Sequence, residues 1–215
     1  MTVAVKTVTI PGDLQQSDTY RTDIKGALRE VHTWSKLSHH NVLPLVGITT
    51  DFDHTISMVS EWMDNGNARR YVQNPEVDPR PLLHDIARGL HYLHTFQPSA
   101  IFHGDLKGQN VLISPEGRAL LTGFGFSRVI NSSFSIPRPL PGGGTLRWMA
   151  PEILDSGEPS DAGDVWAFGM MCLELFSRMD PFPKLRTFQA IQHAILEGQF
   201  DRPSSEETRS RLTDC

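Results

Sequence analysis

Several side chains in this sequence have types and spacings that chemistry can use. His91 and His94 stand three apart in a stretch with helical periodicity, which puts two imidazoles on one face and suggests a metal. Gly142, Gly143 and Gly144 could cradle a phosphate, but they neither follow a strand nor open a helix, so a flexible loop is the better reading. Asp105 lies in a polar turn, where aspartate commonly serves only as a cap; Lys107 and Asn110 stand close beside it. Lys6 and Glu30, taken singly, read as a solvated strand lysine and a surface helix glutamate. Cys172 and Cys215 cannot make a disulfide framework. Cys172 sits inside an apolar run and reads as a small buried hydrophobe, and Cys215 is the last residue.

The elements that must position these groups follow from periodicity. Residues 2–10 alternate and are rich in Val and Thr, which predicts a strand ended by Pro11-Gly12-Asp13. From Thr19 to Leu37 the period becomes helical, with Ile24, Leu28, Val31 and Trp34 on one face. Val42–Thr49 and Ile56–Glu61 predict strands separated by the turn-like Asp51-Phe52-Asp53-His54, and Asn65-Gly66-Asn67 a loop. Leu82–His94 predicts a helix with Ile86, Leu90 and Leu93 on its apolar face. Ile101–Phe102, Val111–Ile113 and Ala119–Leu121 predict short strands. Residues 131–145, rich in Ser, Pro and Gly, predict a loop, and Asp161–Ser177 and Arg186–Leu196 two more helices. Strands with one helix come first and mostly helices follow, an order that suggests two unequal lobes in an α+β arrangement.

Composition narrows the class. The chain has 215 residues, a formal net charge of −5 and 39 % apolar residues, an ordinary globular balance. The mild acidity argues against a nucleic-acid or membrane-surface role driven by bulk charge. No run of eighteen apolar residues exists; the longest, Val165 to Phe176, is interrupted by Glu174. The sparse cysteines and the absence of a secretory pattern at the N-terminus place the chain in the cytoplasm.

Seven motifs then occur in one order. They are VAVK at 3–6; Glu30 within LREVHTWSKLSHHNVLPLVGI; SEWMDNGN at 60–67; HGDLKGQNVL at 103–112; LLTGFGFSRV at 120–129; APE at 150–152; and DVWAFG at 164–169. Each alone is weak, but the ordered set resembles the protein kinase family from Val3 to about Pro203. DLKGQN and GTLRWMAPE resemble its serine/threonine type, in the tyrosine-kinase-like branch. The resemblance implies a two-lobed α+β fold, with a small antiparallel sheet lobe and one helix at residues 1–63 and a larger helical lobe at 64–203. Residues 204–215 would be a polar tail. The same resemblance makes His91 and His94 ordinary members of a kinase helix rather than metal ligands.

The resemblance also assigns roles. Lys6 would hold the α- and β-phosphates of ATP, and Glu30 would hold Lys6. Asp105 would orient the acceptor hydroxyl and take its proton, Lys107 would neutralise the γ-phosphate, and Asn110 would coordinate Mg²⁺. The backbone at Glu61 and Met63 would bond the adenine, Ser60 would guard the rear of its pocket, and Ala4 and Leu112 would sandwich the ring. Thr145 would bond the Asp105–Lys107 pair, and Asp164 would accept backbone N–H bonds from beneath the catalytic loop. His103 would be a packed structural histidine, stacked with Phe124, Trp34 and Leu45 in an internal column. Partners would be ATP and a protein substrate or signalling partner, with no nucleic acid and no membrane.

Three departures carry equal weight. Gly123-Phe124-Gly125 replaces Asp-Phe-Gly, so the main Mg²⁺ carboxylate is missing and Mg²⁺ binding is in question. Gly104 replaces the arginine that in the family pairs with an activation-segment phosphate, leaving Ser132, Ser133 or Ser135 without that cation. The Gly-rich loop with its strands, and the last helices, which carry the arginine that pairs with the glutamate matching Glu152, are not in the sequence. The expectation is therefore a kinase-like domain truncated at both ends, with weak or absent transfer of phosphate to Ser or Thr. The alternative is a pseudokinase acting as a signalling scaffold or allosteric module.

Overall fold

The computed structural model describes residues 2–7, 18–52, 56–129 and 144–199. The predicted stop at Pro11-Gly12-Asp13, the residues Asp53 and His54, Ser132, Ser133, Ser135, Gly142, Gly143, the segment 201–215 and Cys215 lie outside these residues. So do the side chains of residues 18–24, Ile24 among them.

A three-stranded antiparallel sheet forms the smaller lobe. It consists of β1 (Val3–Thr7), β2 (Leu45–Thr49) and β3 (Ser57–Glu61) in the order β1-β3-β2. Register pairs Ala4 with Ser60 and Lys6 with Met58. The strand predicted from Val42 begins only at Leu45. Pro44 has no N–H to give a ladder, and Val42 makes an isolated bridge to Leu121 instead.

Helix α1 (Asp18–Trp34) packs against the turn at Phe124 and is tied to β1 through Lys6 and Glu30. Its inward face corrects the predicted stripe. Leu28 is 44 % exposed, while Ala27, Glu30, Thr33 and Trp34 are buried and Val31 is partly so. An apolar-periodicity rule misplaces this face because its central residue is a carboxylate.

The larger lobe is helical. Helix α2 (Ala68–Tyr71) was not foreseen; Asn67, read as loop, caps it by accepting the Arg70 N–H. Helix α3 (Pro79–His94) starts earlier than its apolar pattern, because Asp78 caps it and Pro79 fits the first turn. It buries Ile86, Leu90 and Leu93 as expected, and Leu82 with them. Gly89 on α3 is required by packing: a Cβ there would lie 2.8 Å from both the Asn41 carbonyl and Leu121 Cδ1. Helix α4 (Pro151–Ser156), also unforeseen, follows Ala150. Helix α5 (Asp161–Ser177) matches its prediction, with Ser160 Oγ accepting the Gly163 N–H. Helix α6 runs Phe188–Leu196, starting two residues later than predicted because Thr187 is its cap.

Short strands frame the loop between the lobes. β4 (Ile101–Phe102) pairs with β7 (Arg128–Val129), and β5 (Val111–Ile113) forms a hairpin with β6 (Ala119–Leu121). One continuous core runs from Trp34 through Leu43 and Phe124 to Ile86, Leu90 and Leu175. Among the described residues no helix is long and apolar enough to cross a membrane.

Candidate active site

Lys6 reaches across from β1 to α1. Its Nζ donates to Glu30 Oε1 at 2.7 Å and Oε2 at 2.8 Å. The pair is lopsided: the Lys6 side chain is 58 % exposed, whereas that of Glu30 is 6 % exposed. The Lys6 side chain therefore lies largely in solvent, and its ammonium is held by the nearly buried carboxylate.

The loop 103–110 carries the second group. Asn110 Nδ2 donates to both the backbone carbonyl and Oδ2 of Asp105, each at 2.7 Å. Lys107 Nζ lies 3.1 Å from Asp105 Oδ2 and donates to Thr145 Oγ1 at 2.9 Å. A cleft opens beside Asp105 between Gly104, Thr145, Met149, Ile153 and Asp164.

Asp164, buried at the start of α5, fixes this loop from below. Its Oδ2 accepts the His103 N–H at 2.7 Å and its Oδ1 accepts the Gly104 N–H at 2.8 Å. His94 Nε2 also contacts Oδ2, at 2.9 Å. His94 thus orients an anchor, and the described residues hold no cluster of three or more His, Cys, Asp or Glu for a metal. His103 is fully buried. Its Nδ1 accepts the Asp105 N–H at 3.2 Å, which leaves Nε2–H to donate to the Thr122 carbonyl at 2.9 Å and settles its tautomer.

Phe124 is completely buried, with ring centroids 6.1 Å from Trp34 and 5.4 Å from His103. Leu45 packs, partly buried, on the same core. Gly123 precedes Phe124 at φ +83°, and Gly104 takes φ +73°, both in the region that favours glycine. A Cβ at Gly123 would lie 2.8 Å from Asn110 Cγ.

On the sheet side, Ser60 and Met63 are buried, Leu112 and Ala4 are partly so, and Glu61 is exposed. Gly66 N–H caps the Met63 carbonyl at 3.0 Å, and the isolated bridge Asn67–Leu112 holds the far wall. Glu152, on α4, is exposed.

Glu174 on α5 was not singled out by sequence as part of the site. It is 1 % exposed, and Oε2 accepts the Gly108 N–H and the Trp148 indole N–H, both at 2.9 Å. Burial pushes its pKa up, opposed by those two donors and by Arg69. The available signal was a carboxylate interrupting the longest apolar run. Cys172 is only partly buried, which corrects the expectation of full burial; its thiol pKa is nevertheless pushed up to about 11 by desolvation.

Comparison with known proteins agrees with this geometry. The chain belongs to the protein kinase domain family, which matches residues 1–214. It is 32 % identical over 219 residues to receptor-interacting serine/threonine-protein kinase 2 of Bos taurus, across 95 % of this chain and 39 % of that protein. It is 38 % identical over 154 residues to receptor-interacting serine/threonine-protein kinase 3 of Rattus norvegicus, across 66 % of this chain and 32 % of that protein. It is 30 % identical over 185 residues to serine/threonine-protein kinase CTR1 of Arabidopsis thaliana, across 83 % and 22 % respectively. The chain thus spans well under half the length of these relatives.

Proposed function

We propose that this chain is a cytoplasmic, ATP-binding kinase domain of serine/threonine type whose phosphoryl transfer is slowed about 10²-fold or more by the lack of a carboxylate at residue 123. One observation carries the reading. The Lys6–Glu30 pair and the Asp105–Lys107–Asn110 turn are both formed, while Gly123 contributes no side chain and Asn110 stands against it.

Each residue then has a task. Lys6, oriented by Glu30, holds the α- and β-phosphates. The backbone at Glu61 and Met63 bonds the adenine ring between Ala4 and Leu112, with Ser60 behind it. ATP supplies the γ-phosphoryl group; the bond from its phosphorus to the β–γ bridging oxygen breaks as the bond to the acceptor oxygen forms, and ADP leaves with the charge. Asp105 orients the acceptor hydroxyl and takes its proton, and Lys107, steadied by Thr145, lies beside the transferred group. His103, Phe124 and Asp164 keep that loop in shape, and Glu152 belongs to the frame around the activation segment. Residues 1–63 and 64–203 act as the two halves of one domain.

The residues present do not fit the family's Mg²⁺ site. A hard divalent cation wants several oxygen ligands, including carboxylates. Gly123 offers no oxygen beyond its backbone carbonyl, so the carboxylate is missing, and Asn110, whose Nδ2 is donated to Asp105, keeps only a neutral Oδ1 for a cation. No step is therefore assigned to a metal.

A second reading, a scaffold or allosteric signalling partner, is favoured by the packed column of Trp34, Phe124 and His103, which needs no catalysis to persist. Thermal-shift titration with ATP, with and without Mg²⁺, together with radiolabel transfer to a generic Ser/Thr substrate, separates the readings. The kinase reading expects ATP stabilisation by mass action and slow transfer that Asp105→Ala abolishes. ATP stabilisation without transfer above the Asp105→Ala control leaves the scaffold. No ATP stabilisation overturns nucleotide binding.

A further inference from the structure

Two segments meet at the cleft: the turn Lys107–Asn110 and the 3-10 helix Gly144–Trp148. On the cleft side they are joined by Lys107 Nζ to Thr145 Oγ1. On the core side both rest on one atom, Glu174 Oε2, through the Gly108 N–H and the Trp148 indole. Gly108 lies so close that a Cβ on it would stand 2.7 Å from Glu174 Oε1 and 3.1 Å from Arg69 Cβ.

The ion pair that Glu174 makes with Arg69 is a loose one. Arg69 Nη1 is 3.7 Å from Oε1, beyond hydrogen-bond reach, and the same guanidinium group contacts Asp180 more closely. Oε1 has no hydrogen-bond partner among the described residues. A carboxylate buried this deeply at α5 is costly unless its acceptor function is used, and only Oε2 is used.

We propose that Glu174 is the positioning residue of the catalytic turn, holding Gly108 and Trp148 on one oxygen and so fixing the turn that carries Lys107 and Asn110 beside the segment that carries Thr145. This rests on the reading of Lys107, Asn110 and Thr145 as the phosphate-side residues.

Native-state hydrogen exchange on the full chain tests it, with the core amides of α3 as internal control. Glu174→Gln keeps an acceptor oxygen of the same reach and loses only the charge, so exchange at 107–110 and 145–149 should stay within about twofold of the parent. Glu174→Leu should accelerate both segments together by about tenfold, leaving α3 unchanged. Trp148→Phe should accelerate only 145–149. Gly108→Ala should reproduce the Leu pattern by pushing the carboxylate away, and with Trp148→Phe it carries the test if Glu174→Leu does not fold. The proposal is overturned if Gln and Leu behave alike, if 107–110 stays protected when the acceptor is displaced, or if α3 accelerates in step. An ATP thermal shift on the unsubstituted chain runs alongside. Its absence removes the nucleotide reading, while the exchange pattern still decides whether Glu174 positions the turn.

Discussion

Asn110 fills the room that a side chain on Gly123 would need: a Cβ at 123 would fall 2.8 Å from its Cγ and 3.0 Å from both its amide nitrogen and its oxygen. Asn110 is held there by two 2.7 Å bonds to Asp105. Restoring a carboxylate at 123 is therefore not a local repair. Gly123→Asp should destabilise the fold by about 1 kcal/mol through the left-handed backbone alone, while giving ATP stabilisation a new dependence on Mg²⁺. Gly123→Asn should show the destabilisation without the Mg²⁺ effect. Urea denaturation and melting with ATP, with and without Mg²⁺, measure both, and an Asp variant as stable as the parent would contradict the geometry.

The lopsided burial of Lys6 and Glu30 predicts an unequal response to breaking the pair. Lys6→Met removes the exposed member and strands a nearly buried carboxylate, costing about 1–3 kcal/mol. Glu30→Gln removes the buried charge and keeps an acceptor, costing less than about 1 kcal/mol. Equilibrium denaturation should rank the lysine variant as the weaker. The opposite order would show that the carboxylate is not desolvated.

Asp164 accepts from two loop amides and contacts His94, so Asp164→Asn, which turns an amide N–H toward a donor, should cost about 3 kcal/mol. Chemical denaturation reads the loss. Exchange at His103 and Gly104 should rise more than in α3; uniform acceleration would reduce Asp164 to a general stabiliser.

Two acidic groups have raised pKa values, and both make stability fall as pH rises. The Cys172 thiol, ordinarily near 9.0, is pushed up to about 11, so the unfolded chain loses this proton first. The contribution is full below about pH 9 and is lost on passing through about pH 11. Glu174, ordinarily near 4.5 and raised by burial, acts the same way at the acid end: its contribution is full below that value and lost through its higher folded pKa. Glu174→Gln should lose the component of acid-end stability that falls as pH rises, read as the difference between its pH profile and the parent's. Alkylation of Cys172 at pH 8 should be about 100-fold slower in the folded chain than in urea, following the thiolate fraction; equal rates would refute the shift.

Sequence patterns located elements best where a local rule decided them. The long apolar run marked α5, and the short apolar runs Val111–Ile113 and Ala119–Leu121 marked the β5–β6 hairpin. They failed where a partner elsewhere in the fold decided. The buried face of α1 follows the Lys6–Glu30 pair and the Phe124 turn rather than Leu28. Helix α2 is too short to show a period. In the site, the motif residues were legible because their order is a pattern in itself. Glu174 was not, since a lone carboxylate in an apolar run does not name the donors that justify its burial.

Gly104 and Gly123 stand where the family resemblance expects arginine and aspartate, and both adopt positive φ. At each, glycine relieves a left-handed backbone that costs most other residues about 1–2 kcal/mol, and aspartate at the lower end of that range. Each replacement thus removes a functional group and a conformational cost together. Selection that monitors only whether the chain stays folded would retain both glycines, because it tolerates or favours what does not lower stability. Reversing either step would therefore meet resistance from the fold itself.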